Sequence, residues 1–295
     1  MNVTPIAFES MGVRSMATLV EADGKKVFID PSAALGPSRF GLPPARQELN
    51  ALEAAKNRIH DVALGSDVLV VTHYHYDHHD PDETFYKGKT VLAKDVASSI
   101  NFSQRGRGKY FKEQVEGVCE LRFADCKTFK FGGLTINFSP PFPHGPEGTK
   151  LGFVLMCLID DGEKRFVFGS DVQGPISDEA TEWVLECKPD IIVMDGPPTY
   201  LLGHVFSLGD FVEAGKNILR IIDETGGELI LDHHLLRDLG YREKLRGVYD
   251  TGRVKSAAEY AGMQNVLLEA GRKALWKGVV PNYSMVPLRK GVKYE

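Results

Sequence analysis

Apolar and polar positions along the chain follow two rhythms. Short apolar runs bounded by turn residues predict buried strands, among them DVLVV over Asp67–Val71, RFVF from Arg165, DIIVMD from Asp190 and ELILD from Glu228. Nearer the start, Pro5 to Glu9, Arg14 to Val20 and Lys25 to Asp30 read as strands, with Asp23-Gly24 as a hairpin turn. Pro31 ends the third of these, because proline cannot continue a central strand. Thr90 to Ala93, Val118 to Phe123, Thr128 to Phe131 and Leu134 to Phe138 predict four more, the last two joined through Gly132-Gly133.

The second rhythm is helical. After a Gly/Pro-punctuated loop over 32–42, Pro43 opens a predicted helix running to about His60, with Leu49, Leu52, Ala55 and Ile59 on one stripe. His60 falls at its expected C-terminus, where a cation complements the helix dipole, and reads as structural. Further helices are predicted over Leu208 to Thr225, Arg237 to Tyr249, Val254 to Ala261 and Asn265 to Gly278. The glycine-interrupted segment from Asn101 to Phe111 reads as a loop. Strands followed by helices, twice over and with no linker-like stretch, lead us to expect one domain over residues 1–295.

Composition changes this picture little. Hydrophobic residues at 43% and charged residues at 25% are ordinary for a chain with a substantial core. A net charge of −5 argues against a broad nucleic-acid-binding surface and leaves a local basic patch open. The four cysteines, Cys119, Cys126, Cys157 and Cys187, show no C-x-x-C pairing and read as reduced thiols of a cytoplasmic protein. The N-terminus lacks the basic-then-apolar order of a signal peptide. No apolar run approaches the ~18 residues of a membrane span.

The candidate chemistry begins where the strand Asp67–Val71 ends. His73, His75, Asp77, His78 and His79 follow within a few residues, so four of the nine histidines share one loop. His73 and His75 stand two apart and project to the same side of an extended backbone, where they can grip one ion. Asp77 and His78 come from the turn that follows and can be aimed at a second ion. Later strands repeat the theme. LTINFS leads to His144, RFVFGSD ends at Asp171, and ELILDHH ends at His233 and His234. A lone His144 or Asp171 would more often be structural, but delivery of each at a strand end supports one shared site.

The order H-x-H-x-D-H, carried by His73, His75, Asp77 and His78, resembles the signature of the metallo-β-lactamase superfamily, and the resemblance extends over roughly Pro5 to His234. It implies an α/β (α+β) four-layer αββα sandwich with the site along one edge. It also implies that His73, His75 and His144 hold a first metal, that Asp77, His78 and a late histidine hold a second, and that Asp171 bridges the two. His233 follows its strand directly and is the expected late ligand, since neighbours at a strand end face opposite ways. Asp30 matches an aspartate that in the superfamily lies near the metals without holding them; a turn-capping role is the alternative. His79 resembles an extra histidine of the lactonase-like branch and of some nucleases, where it would be an alternative ligand or a substrate contact. The large inserted domain of the RNA-processing branch is missing from this chain. His75 stands where the diiron oxygen-reducing branch would carry glutamate.

The function implied is that of a dinuclear metal-dependent hydrolase, in which a hydroxide bridging two divalent ions attacks a small anionic ester, lactone or phosphodiester. Nitrogen and oxygen donors suit zinc, with manganese or iron as alternatives. Asp77 or Asp171 would orient the nucleophile or accept its proton. Arg105, Arg107 and Lys109 could favour an anionic substrate, although a solvated basic loop explains them equally well. Asp195 could reach the same rim, and His204 is a further candidate substrate contact beside a structural reading. A mononuclear iron oxygenase of the same fold, or a nuclease, is the alternative function. Nucleic acid is a disfavoured but open partner, no membrane is expected, and no oligomeric state is implied.

Overall fold

Strand β4 (Val68–Val71) shows how the layers arise. Side chains alternate across a strand. Val68 and Val70 accordingly enter the core between two sheets, while Leu69 and Val71 enter a second core beneath helices. The computed structural model describes residues 1–279. Its first sheet runs in chain order from β1 (Asn2–Phe8) through β2 (Met16–Ala22), β3 (Lys25–Ile29), β4 and β5 (Thr90–Ala93) to β6 (Glu120–Phe123). The strands β1 to β3 are antiparallel, and β3 to β6 are parallel.

The second sheet contains β7 (Thr128–Phe131) and β8 (Leu134–Phe138). A short ribbon, β9 (Phe142–Pro143) with β10 (Phe153–Val154), then precedes β11 (Cys157–Asp160), β12 (Arg165–Phe168), β13 (Ile191–Asp195), β14 (Glu228–Asp232) and the edge strand β15 (Val254–Lys255). The strand order is β15-β14-β13-β12-β11-β8-β7, parallel from β12 to β15.

Two helices cover the first sheet, α1 (Arg46–Leu64) and α2 (Phe102–Val115). Ala55, Ile59, Phe111 and Val115 meet Leu69, Val71 and Val91 there. Two more cover the second sheet, α3 (Asp178–Cys187) and α4 (Leu208–Thr225). Val184, Phe211, Ile218 and Ile222 pack on Val167, Ile192 and Met194. Between the sheets lie Phe8, Val68, Val70, Phe138, Phe166, Phe168, Val193 and Ile230, all buried. The result is the αββα sandwich.

Some expected elements are corrected. The segment Asn101 to Phe111 is no loop but most of α2, whose first turn is capped by the Asn101 side chain accepting from the Gln104 N–H at 2.7 Å. Helix α1 continues to Leu64, so His60 lies inside it and pairs with Glu83 at 3.1 Å. The expected helix from Arg237 to Tyr249 is broken into Tyr241–Lys244 and Arg246–Tyr249. The stretch from Val254 to Ala261 divides into β15 and a turn of helix, Ala257–Tyr260, capped by Ser256 and Glu259. Only Arg272–Leu275 is helical within Asn265 to Gly278. The four cysteines carry no disulfide. Among the described residues no helix is long and apolar enough to cross a membrane.

Candidate metal centre

Parallel strands of both sheets deliver their carboxyl ends to one edge, the usual place for a ligand in such sheets. Asp30 follows β3, Thr72 and His73 follow β4, Asp171 follows β12 and His233 follows β14. Three of these ends use left-handed backbone at residues with side chains: Asp30 (φ 49°), Ser170 (φ 53°) and His233 (φ 60°). Such conformations persist only where surrounding structure imposes them, and they gather at functional sites.

Asp30 organises the first loop from behind. Its carboxylate accepts from the Thr72 N–H at 2.8 Å and the Thr72 hydroxyl at 2.6 Å, and it lies 2.8 Å from His78 Nδ1. That contact orients the His78 ring so that Nε2 stands 3.2 Å from Asp171 Oδ2. Around the same Asp171 oxygen lie His144 Nε2 at 3.0 Å, His233 Nε2 at 3.5 Å and His73 Nε2 at 3.6 Å. His75 Nδ1 is 3.1 Å from His73 Nε2, and Asp77 Oδ2 is 3.6 Å from His233 Nε2.

Two donor groups follow. His73, His75, His144 and Asp171 place one ligand atom each within 4.8 Å of one another, and Asp77, His78 and His233 do the same. Asp171 also groups with His233 and His234. The donors fit divalent cations on a second count. His78 Nε2, His144 Nδ1 and both Asp171 oxygens are buried without a hydrogen bond of acceptable geometry. Buried polar atoms without partners are costly unless a cation or proton satisfies them.

Electrostatics agree for three of the rings, whereas Asp171 and Asp30 hold His78 well above the usual imidazole range against its burial. Burial holds His73 well below the usual imidazole range and brings His75 to about 3 and His233 to about 4, so these rings are neutral and available as donors at pH 7. Burial opposes ionisation of Asp77 and Asp171, yet neighbouring His78 and His233 bring both carboxyls below their ordinary values.

The structure brings together His73, His75, Asp77, His78, His144, Asp171 and His233. It adds His234, because the left-handed turn at His233 breaks the strand alternation and lets both rings face inward, 4.5 Å apart. His234 Nδ1 lies 2.7 Å from Asp195 Oδ2, and its N–H donates to Asp195 Oδ1 at 2.8 Å. Asp195 therefore stands behind a histidine of the centre and not at an open rim.

His79 turns away from the centre. It stacks on Tyr76 and meets Tyr74 and Phe111 edge-on, with Nδ1 3.0 Å from the His75 carbonyl, and burial lowers its pKa to about 4. His204 is exposed on the turn before α4, outside every donor group. On α2, Arg105 bonds the Ile100 carbonyl, and Lys109 is exposed. Arg107 reaches the metal loop, where its guanidinium lies 4.8 Å from the Tyr76 ring centroid.

One participant escapes sequence reasoning. Arg237, buried beside His233, donates from Nε to Glu9 Oε2 at 2.9 Å. Burial pushes the Glu9 carboxyl up to about 7 even with Arg237 beside it. Nothing in the pattern around Arg237 distinguishes it from a surface arginine.

Comparison with solved structures agrees with this architecture. The metallo-β-lactamase fold protein YhfI from Bacillus subtilis aligns with 86% of this chain and 92% of its own, at 19% identity and TM-score 0.50. A possible metal-dependent hydrolase from Veillonella parvula aligns with 83% of this chain and 94% of its own, at 16% identity and TM-score 0.56. An isothiocyanate hydrolase from Delia radicum gut bacteria gives the same coverages, 19% identity and TM-score 0.53. The chain has the metallo-β-lactamase fold. No protein-family profile matches the chain. Whole-length relatives are nevertheless clear: a UPF0282 protein of Pyrococcus furiosus is 44% identical over 93% of this chain and 92% of its own. One of Methanopyrus kandleri is 45% identical over 93% and 99%. The chain belongs to the UPF0282 family.

Proposed function

We propose that the protein is a metal-dependent hydrolase of a small anionic ester, lactone or phosphodiester, with places for two divalent ions. The observation that carries this reading is the convergence on Asp171, whose two buried oxygens lack hydrogen bonds among three imidazoles of the first donor group. In this reading His73, His75, His144 and Asp171 hold one ion, Asp77, His78 and His233 hold the other, and Asp171 is shared. Divalent ions bound there would supply a nucleophilic water at neutral pH, the water's pKa falling from 15.7 to about 7, and would stabilise developing negative charge. The nitrogen and oxygen donors favour zinc, with manganese or iron as alternatives.

The protein's own groups do the rest. Asp30 holds His78 in one orientation, and Asp195 does the same for His234. Asp77 is ionised at neutral pH and only part-buried, so its carboxylate can accept a hydrogen bond from a water and orient it. Of the three basic residues on α2, Arg107, whose guanidinium lies over the ring of Tyr76 between His75 and Asp77, is the one that touches the metal loop and would meet an anionic substrate there. Hydrolase names among the structural neighbours support the reaction class.

The first test is metal content of gently purified protein, followed by turnover of phosphodiesters, lactones and thioesters. The reading expects about two divalent ions at saturation, with turnover lost together with metal in His73→Ala. Turnover that survives both substitution and chelation would sink it.

A further inference from the structure

The two donor groups differ in one respect. Arg237, 3% exposed, carries Nη2 3.2 Å from His233 Nε2 and 3.6 Å from Asp77 Oδ2, and those two atoms are 3.6 Å from each other. The guanidinium thus approaches two of the three donors of the second group. Among the described residues, its side-chain hydrogen bonds and ion pairs reach Glu9, His233 and Asp77 and none of His73, His75 or His144, which belong to the first. Arg237 is pinned on two further sides. Nε is bonded to Glu9 at 2.9 Å, and the backbone carbonyl accepts from Arg39 Nη2 at 3.0 Å.

A guanidinium does not deprotonate in proteins and has no lone pair to offer a metal. An ion at ordinary coordination distance, ~2.1 Å, from both His233 Nε2 and Asp77 Oδ2 would come within ~4 Å of Nη2. Repulsion between a divalent ion and a fixed cation at that range is large in a site shielded from water. The guanidinium also competes for the same lone pairs, since it already lies at hydrogen-bonding distance from His233 Nε2.

We infer that Arg237 makes the two ion positions unequal: the position formed by His73, His75, His144 and Asp171 fills first, and the position formed by Asp77, His78 and His233 accepts an ion only against the Arg237 guanidinium. The inference rests on the proposed metal-dependent reading for the presence of ions, and it concerns their order and affinity.

Titration calorimetry of the metal-free full chain with Zn²⁺ and with Mn²⁺, checked by elemental analysis after dialysis, tests it. The wild type should bind one tight equivalent and a second weaker by about 10- to 100-fold or more. Arg237→Met should tighten the second equivalent at least about tenfold and leave the first in place. That substitution leaves Glu9 buried without its partner, so Glu9→Gln with Arg237→Met provides a neutral variant in which the same tightening is expected. Two equivalents of equal affinity in the wild type would overturn the inference. So would a folded double variant whose second equivalent is unchanged, or a wild type that binds no ion. Unequal binding with no hydrolysis of any ester, lactone or phosphodiester would leave the inference standing and remove the hydrolase reading. Equal binding with hydrolysis would do the reverse.

Discussion

Asp171 is the residue on which the centre turns, with four imidazole nitrogens between 3.0 and 3.6 Å from one of its oxygens. Asp171→Ala should reduce metal content towards zero in elemental analysis and cut turnover by orders of magnitude, while far-ultraviolet circular dichroism stays unchanged. His79 tests a different property. Its folded pKa is about 4 because burial disfavours the charged ring, against an ordinary value of about 6.5. Between those values the unfolded chain binds a proton that the folded chain does not. Stability of the metal-free protein is therefore lost as pH falls from about 6.5 to about 4, by up to about 3 kcal/mol from this residue. His79→Leu removes that share, so its urea-unfolding free energy should fall less steeply with acidification than the wild type's; parallel slopes would refute the assignment. The spacing of His73, His75, Asp77 and His78 made the first loop legible in the sequence, because those residues are neighbours in the chain. Arg237 and the joint approach of His233 and His234 were not legible, since both depend on one left-handed residue after β14.

At the level of elements, α2 shows why glycine can mislead. Gly106 and Gly108 suggested a loop, yet both lie inside the helix. A Cβ at Gly108 would stand 2.7 Å from the Tyr74 ring, whereas one at Gly106 would meet nothing within 4 Å. Gly108→Ala should accordingly destabilise by about 1–3 kcal/mol through overpacking. Gly106→Ala should stabilise by about 0.5–1 kcal/mol through backbone entropy. Chemical denaturation of the pair distinguishes a packing glycine from a tolerated one. Helix α3 went unpredicted although Ser177 caps it and Ala180, Val184 and Cys187 share its buried face, because its ten residues offer few turns of periodicity. The regular strands and α4 were plain in the pattern. The short helices after residue 237 were not, since chain contacts such as the Arg272–Glu48 pair, wholly buried at 2.7 Å, hold that region more than local repetition does. Arg272→Met leaves the Glu48 charge buried and should cost about 3–5 kcal/mol in unfolding free energy.

Across the whole molecule, the strands and helix stripes were legible because alternation and repetition are local properties, whereas the αββα layering came from the resemblance to a known fold. Pairing of β3 with β4 and of β12 with β13 joins segments far apart in the chain, and that order came from the resemblance to a known fold. The donors come from positions 73–78, 144, 171 and 233–234, so both sheets contribute to one centre. An ion held there acts as a removable cross-link between chain segments some 160 positions apart, closing a loop much as a disulfide would. Chelation should then do more than remove the proposed activity: it should speed hydrogen exchange at β4 and β14 together, so that the survival of the two sheets follows the metal supply.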